Sequence, residues 1–115
     1  MGSADTREAA RPGGDCEVLM YARVPTFNIS AESIDAAILH FEEVTVSRLR
    51  KLPGFKGATM LVSREKGMAR AIVYWDSRET LDSSFEATKG LRAEYTEKFG
   101  AELASVEEFE VAVQV

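Results

Sequence analysis

A single cysteine, Cys16, and a single histidine, His40, leave this 115-residue chain little thiol or imidazole chemistry. One cysteine cannot close an internal disulfide, which fits a reducing cytoplasm. Nor can it build a thiolate metal cage, and one histidine cannot supply a pair of imidazole ligands. No run of residues approaches the roughly 20 apolar positions of a membrane span. The first residues lack the basic-then-apolar order of a secretory signal, so no membrane partner is expected. Clustered cations are also missing. The 14 Lys and Arg are outnumbered by 19 Asp and Glu, giving a net charge of −5. Counterion release on a phosphate backbone needs a concentrated basic surface, so no nucleic-acid partner is expected.

Apolar residues make up 45% of the chain, enough for one core and one domain. Residues 1–16 are small, polar and rich in Gly and Pro; they offer too little apolar surface to offset ordering and read as a loose tail. Residues 17–115 read as the domain. Glu17 to Val24 alternates loosely and stops at Pro25, as a first strand would. Ser30 is a plausible N-cap for a helix with Ile34, Ile38, Phe41, Thr45, Leu49 and Leu52 on one stripe, ending at Pro53-Gly54.

Phe55–Arg64 and Met68–Trp75 form a hairpin pattern around Glu65-Lys66-Gly67. Asp76-Ser77-Arg78-Glu79 suits the start of a second helix, with Leu81, Phe85, Leu91, Tyr95 and Phe99 on its apolar side. Gly90 could divide that helix, and Gly100 could cap it. A last strand is expected where Phe109, Val111, Val113 and Val115 alternate with Glu108, Glu110 and Gln114.

The order strand, helix, strand, strand, helix, strand predicts an α+β fold of the ferredoxin-like split β-α-β kind. It implies one antiparallel sheet of four strands with both helices on one face. The other face would be left bare and apolar. A second copy placed sheet to sheet would cover it, so a homodimer is expected, a dimeric α+β barrel.

Leu52-Pro53-Gly54-Phe55 between helix and strand, and Tyr74-Trp75-Asp76-Ser77 between strand and helix, carry a resemblance. With the element order across residues 17–113, they are similar to the antibiotic biosynthesis monooxygenase family of the dimeric α+β barrel superfamily. The resemblance implies a cofactor-free oxygenase that binds an aromatic, polyketide-like phenol, helps it lose a proton and lets the carbanion meet dioxygen. Trp75 falls where those enzymes have a pocket-lining tryptophan. Ala71, Met60 and Leu81 fall where the pattern has an asparagine and two tyrosines. A related branch degrades haem with an asparagine on the first strand and a tryptophan and histidine on the second helix. Met20 and Tyr21 occupy the first region here, Ser84 lies near the tryptophan position and the helix has no histidine, so haem degradation is not expected.

Strand alternation puts Ala69, Ala71, Val73 and Trp75 on one face, joined by Ala58, Met60 and Val62 on the neighbouring strand. With Leu81 and Phe85 from the helix they form either a packed core or a slot for a flat ring. Tyr21, Arg23, Arg70 and Tyr74 are assigned the opposite parity: either the fringe of a dimer-facing sheet, or a polar end that holds a phenolic or anionic oxygen. His40 falls to the side of its helix stripe. Glu42-Glu43 and Glu107-Glu108 are adjacent pairs that point apart, which argues for solvated surface over a carboxylate dyad. Two functions follow: a cofactor-independent monooxygenase of a small aromatic metabolite, or a non-catalytic dimeric barrel that binds a hydrophobic molecule or serves a structural role.

Overall fold

The computed structural model describes residues 20–115. The tail expected over 1–16, with Cys16, lies outside the described residues. Strand β1 runs Tyr21–Asn28 and passes through Pro25 rather than stopping there. Proline is tolerated inside a sheet only where its missing N–H costs no ladder bond. Here β1 pairs with β3 (Met68–Trp75) at Arg23↔Val73 and resumes at Thr26↔Arg70, so Val24 and Pro25 fall in a gap of that ladder. On its other side Pro25 stays in register with Val106 of β4 (Glu102–Glu110).

The expected first helix is interrupted. It comprises α1 (Ala31–His40), a π-helical segment (Phe41–Thr45) and α2 (Val46–Leu49). The buried positions Ala37, Phe41, Thr45 and Leu49 recur in steps of four, which overshoot an α-turn of 3.6 residues. The wider π-turn takes up that excess and keeps Phe41, Thr45 and Leu49 facing the sheet. Ser30 stands at the N-cap position, but its hydroxyl meets Ser33 Oγ at 3.2 Å and caps no backbone N–H. Pro53-Gly54 then leads into β2 (Phe55–Ser63). Gly54 has φ of 83°, and a Cβ there would collide with Thr80, so this turn requires glycine.

Strand β3 spans Met68–Trp75. The second helix is broken, though not at Gly90. Helix α3 (Arg78–Ser83) and α4 (Phe85–Phe99) meet at Ser84, and α4 runs on through Gly90. The cap of α3 is Ser77, whose Oγ accepts the Thr80 N–H at 3.1 Å, while Asp76 accepts from the Thr80 hydroxyl at 2.8 Å. Gly100 ends α4 in the left-handed conformation. The chain therefore turns into β4 early, at Glu102–Glu110, and residues 111–115, expected within the last strand, lie beyond its end.

The four strands form one antiparallel sheet in the order β2-β3-β1-β4, with helices on one face. Two clusters fill the space between them. One joins Phe27 and Ala69 to Ile34, Ala37, Phe41 and Tyr95; the other joins Val73 and Trp75 to Leu49 and Leu81. The opposite face carries Tyr74, Ala22 and Phe109 side by side, and Leu61 beside Arg70. On that face Leu61 is 48% and Phe109 51% exposed. Among the described residues, no helix is long and apolar enough to cross a membrane.

Candidate functional site

The register separates residues that the sequence reading had grouped. Tyr21 pairs with Trp75 and Arg23 with Val73, so both side chains share the helix-covered face. Arg70 pairs with Thr26 and Tyr74 with Ala22, on the open face. The four do not form one polar fringe, because the antiparallel register sets Tyr21 opposite Trp75 and Arg23 opposite Val73.

Arg23 is the centre of the site. It is only 2% exposed, in the middle strand of the inter-layer space. Burying a guanidinium demands that its donors be satisfied, and they are. Nη2 donates to the Leu81 carbonyl at 2.8 Å and to Glu108 Oε2 at 2.9 Å, and Nε donates to the same carboxylate at 3.2 Å. Nη1 donates to Ser84 Oγ at 3.1 Å and Thr88 Oγ1 at 3.2 Å. The break between α3 and α4 makes this possible by leaving the Leu81 carbonyl and Ser84 hydroxyl turned toward the sheet.

A second buried guanidinium, Arg92, donates to the same Thr88 oxygen at 3.3 Å. Both cations lie over Phe85, 5.2 and 5.4 Å from its ring centroid. Burial holds the Arg92 pKa below its ordinary value, and the neighbouring Arg23 charge adds to that; Glu108 opposes it more weakly.

Beside this pair lies a cavity of about 50 Å³ whose lining includes Phe27, Phe41, Thr45, Met60, Ala71 and Tyr95, as well as Arg23 and Arg92. It borders the ladder gap at Pro25, which also lines it. The small Ala69 and Ala71 leave the floor low. Thr45, 7% exposed, keeps a buried hydroxyl with no hydrogen-bond partner among the described residues. Along a regular helix that hydroxyl would turn back on the carbonyl four residues earlier. In the π-segment the Phe41 carbonyl accepts the Val46 N–H. A second, larger cleft of about 350 Å³ runs between the helix and the β2 edge, bounded by Ile38, Glu42, Val46, Ala58 and Val62. Phe41 and Met60 line both spaces and form the partition between them.

Of the strand residues singled out from sequence, Arg23, Met60, Ala69, Ala71 and Val73 meet at this cavity, and Arg70 also borders it. Trp75 and Leu81 do not. Both are 0% exposed and sit in the neighbouring cluster, where Phe55 stacks edge-on to the indole at 6.0 Å. The indole Nε1 is buried with no hydrogen-bond partner among the described residues. Tyr21 packs on that cluster with Arg78 over its ring, Phe85 is partly exposed beneath the two arginines, and Tyr74 lies on the open face.

His40, expected at the side of its helix, is instead packed between helices. Its ring stands 5.4 Å from both Tyr95 and Phe99, and its Nε2 is 3.5 Å from Glu94. Tyr95 donates to the Ala37 carbonyl at 2.6 Å, and burial pushes its phenol pKa well above the ordinary value. Arg92, Thr45 and Thr88 were missed as site residues. Thr88, Arg92 and Tyr95 are the buried positions of α4, and their spacing of four and three is the signal that could have found them. Among the described residues no three His, Cys, Asp or Glu side chains gather as metal ligands.

No protein-family model matches the chain. Uncharacterized protein Rv2557 of Mycobacterium tuberculosis is 34% identical over 94 residues, 82% of this chain and 42% of the relative. The chain thus spans about two-fifths of the length of the curated relatives it matches. The monooxygenase ActVA-Orf6 of Streptomyces coelicolor, solved with nanaomycin D, superposes with a TM-score of 0.64 at 17% identity, over 84% of this chain and 91% of that one. SnoaB of Streptomyces nogalater, a cofactor-independent oxygenase, gives 0.59 at 17% identity over 84% and 96%. The haem degrader MhuD of Mycobacterium tuberculosis gives 0.62 at 17% identity over 83% and 98%. The chain has the ferredoxin-like α+β fold of the antibiotic biosynthesis monooxygenase-like proteins.

Proposed function

We propose that this chain binds a small aromatic, polyketide-like metabolite between its sheet and helices and oxygenates it without a cofactor. The observation that carries the reading is the apolar cavity between the layers, walled by Met60 and Ala71 and flanked by Arg23. A phenol with an acidic CH₂ in its ring system suits such a site. Loss of a proton gives a carbanion that dioxygen attacks; one oxygen atom stays as a ring carbonyl, and the other leaves as water with both hydrogens of that carbon. Cationic side chains beside the site favour the anionic form of the substrate. Fold neighbours that are monooxygenases support the assignment by analogy.

The working unit in this reading is a homodimer closed through the open sheet face, which the exposed Leu61 and Phe109 support. A second reading, binding without turnover, is favoured by the packing of Trp75 into the core away from the cavity.

The test is a titration of the full chain with anthrone-like phenols, following the emission of the sole tryptophan, with oxygen uptake in parallel. Saturable quenching with uptake supports the oxygenase. Quenching without uptake leaves the binding protein. No response from a folded chain overturns both.

A further inference from the structure

Two cations, Arg23 and Arg92, are buried side by side on one threonine oxygen. Among the described residues, Glu108 is the carboxylate that answers them, and its close contacts are spent on Arg23, with Arg78 at 3.9 Å beyond. Arg92 has Thr88 as its one hydrogen-bond partner among those residues, so its positive charge stands at the cavity wall with no carboxylate bonded to it there and only the weaker, shared field of Glu108. At the π-segment, Thr45 contributes a buried hydroxyl with no hydrogen-bond partner among the described residues. An unpaired cation and an unpaired hydroxyl bordering one otherwise apolar space both call for oxygen atoms on whatever fills it. The outer cleft, by contrast, has Glu42 on its rim. A second negative charge there would be repelled.

We propose that the cavity selects a small aromatic monoanion, its charged oxygen against Arg92 and a neutral oxygen hydrogen-bonded to Thr45. The ring system lies across the partition formed by Phe41 and Met60, because about 50 Å³ of inner space is too little for fused rings and the cleft beyond adds about 350 Å³. Met60 is the mobile half of that partition, being unbranched and able to swing. This inference deepens the ligand site proposed above and rests on it. It assigns specificity to Arg92 and Thr45 and does not require turnover.

The test compares 2-naphthoate with its neutral isostere 2-naphthamide, titrated into the full chain by calorimetry. The expected result is a preference of about tenfold or more for the anion, equivalent to about 1.4 kcal/mol. Arg92→Met should erase that preference while leaving 2-naphthamide within about twofold; Arg92→Lys, which keeps the charge, should retain most of it. Thr45→Val should remove the extra affinity that a ring hydroxyl gives to 3-hydroxy-2-naphthoate. Equal binding of acid and amide, or an anion preference that survives Arg92→Met, overturns the proposal and leaves the cavity reading standing. Binding of neither compound by a folded chain overturns both. Anion-selective binding here, with no oxygen uptake on the anthrone-like phenols above, upholds this inference and removes only the oxygenase.

Discussion

The two ends of the layer between sheet and helices are built on the same strands and come out differently. At the end of β3 nearest α3, Trp75 fills the space completely, with Leu49, Leu81 and Val73 closed around it. A few residues back along the same face, Ala71 and Ala69 sit under Met60, Phe41 and the two arginines, and the space stays open. Side-chain volume on one strand face sets the difference. A large residue at one end props the helices off the sheet, and small residues further along cannot reach them. The tryptophan thus acts as a spacer for the cavity rather than as part of its wall.

Removing the spacer should have the largest effect. Trp75→Ala empties a fully buried site and should cost about 3–5 kcal/mol, read as a shift in denaturant midpoint. It should also let the helices settle and abolish ligand binding. Unchanged binding in that variant would break the comparison. Next comes Arg23→Met, which strands Glu108 and the Leu81 carbonyl. Because Glu108 is 31% exposed, we expect about 2–3 kcal/mol rather than the full penalty of a buried broken pair.

Enlarging residues sharpens the contrast from the other side. Leu81→Phe overpacks the filled end and should cost about 1–3 kcal/mol, whereas Ala71→Leu grows into open space and should cost less than about 1 kcal/mol while blocking ligand. The smallest effect is at Tyr95. Its folded phenol keeps the proton above the ordinary tyrosine range, where the unfolded chain releases it. Stability is therefore present at and below that range and lost as pH rises through it toward the higher folded value. In Tyr95→Phe the alkaline loss measured by denaturation should shrink.

The periodic signals carried the architecture. Alternation in β2 and β3 and the four-and-three spacing of the helices were enough for the element order and the single sheet. Where the reading failed, a local rule was overridden from a distance. Pro25 reads as a strand end, yet β4 pairs across it and the β3 ladder has its gap there. Gly90 reads as a helix break, but nothing packs near it and α4 runs through; the break sits at Ser84, where the Leu81 carbonyl and Ser84 hydroxyl meet Arg23. Alternation within one strand does not fix its parity against the next, so the sequence groups Arg23 with Tyr74 where the register sets it opposite Val73. Arg92 escapes a search for a buried stripe among apolar residues alone, whereas Thr45 stands on the first-helix stripe and reads there as core rather than as a site residue. No pattern in one strand or helix reveals that two arginines from different elements converge on one threonine.

The π-segment at Phe41–Thr45 has a consequence at the level of the gene. A single π-turn is what one extra residue produces when it is inserted into an established α-helix whose two ends are already fixed by packing. Deleting one codon within that stretch should return the helix to regular winding. The Thr45 hydroxyl would then find a carbonyl behind it, and the wall it forms would turn away from the sheet. A site of this kind is gained or lost in one frame-preserving step, without change to any strand beneath it.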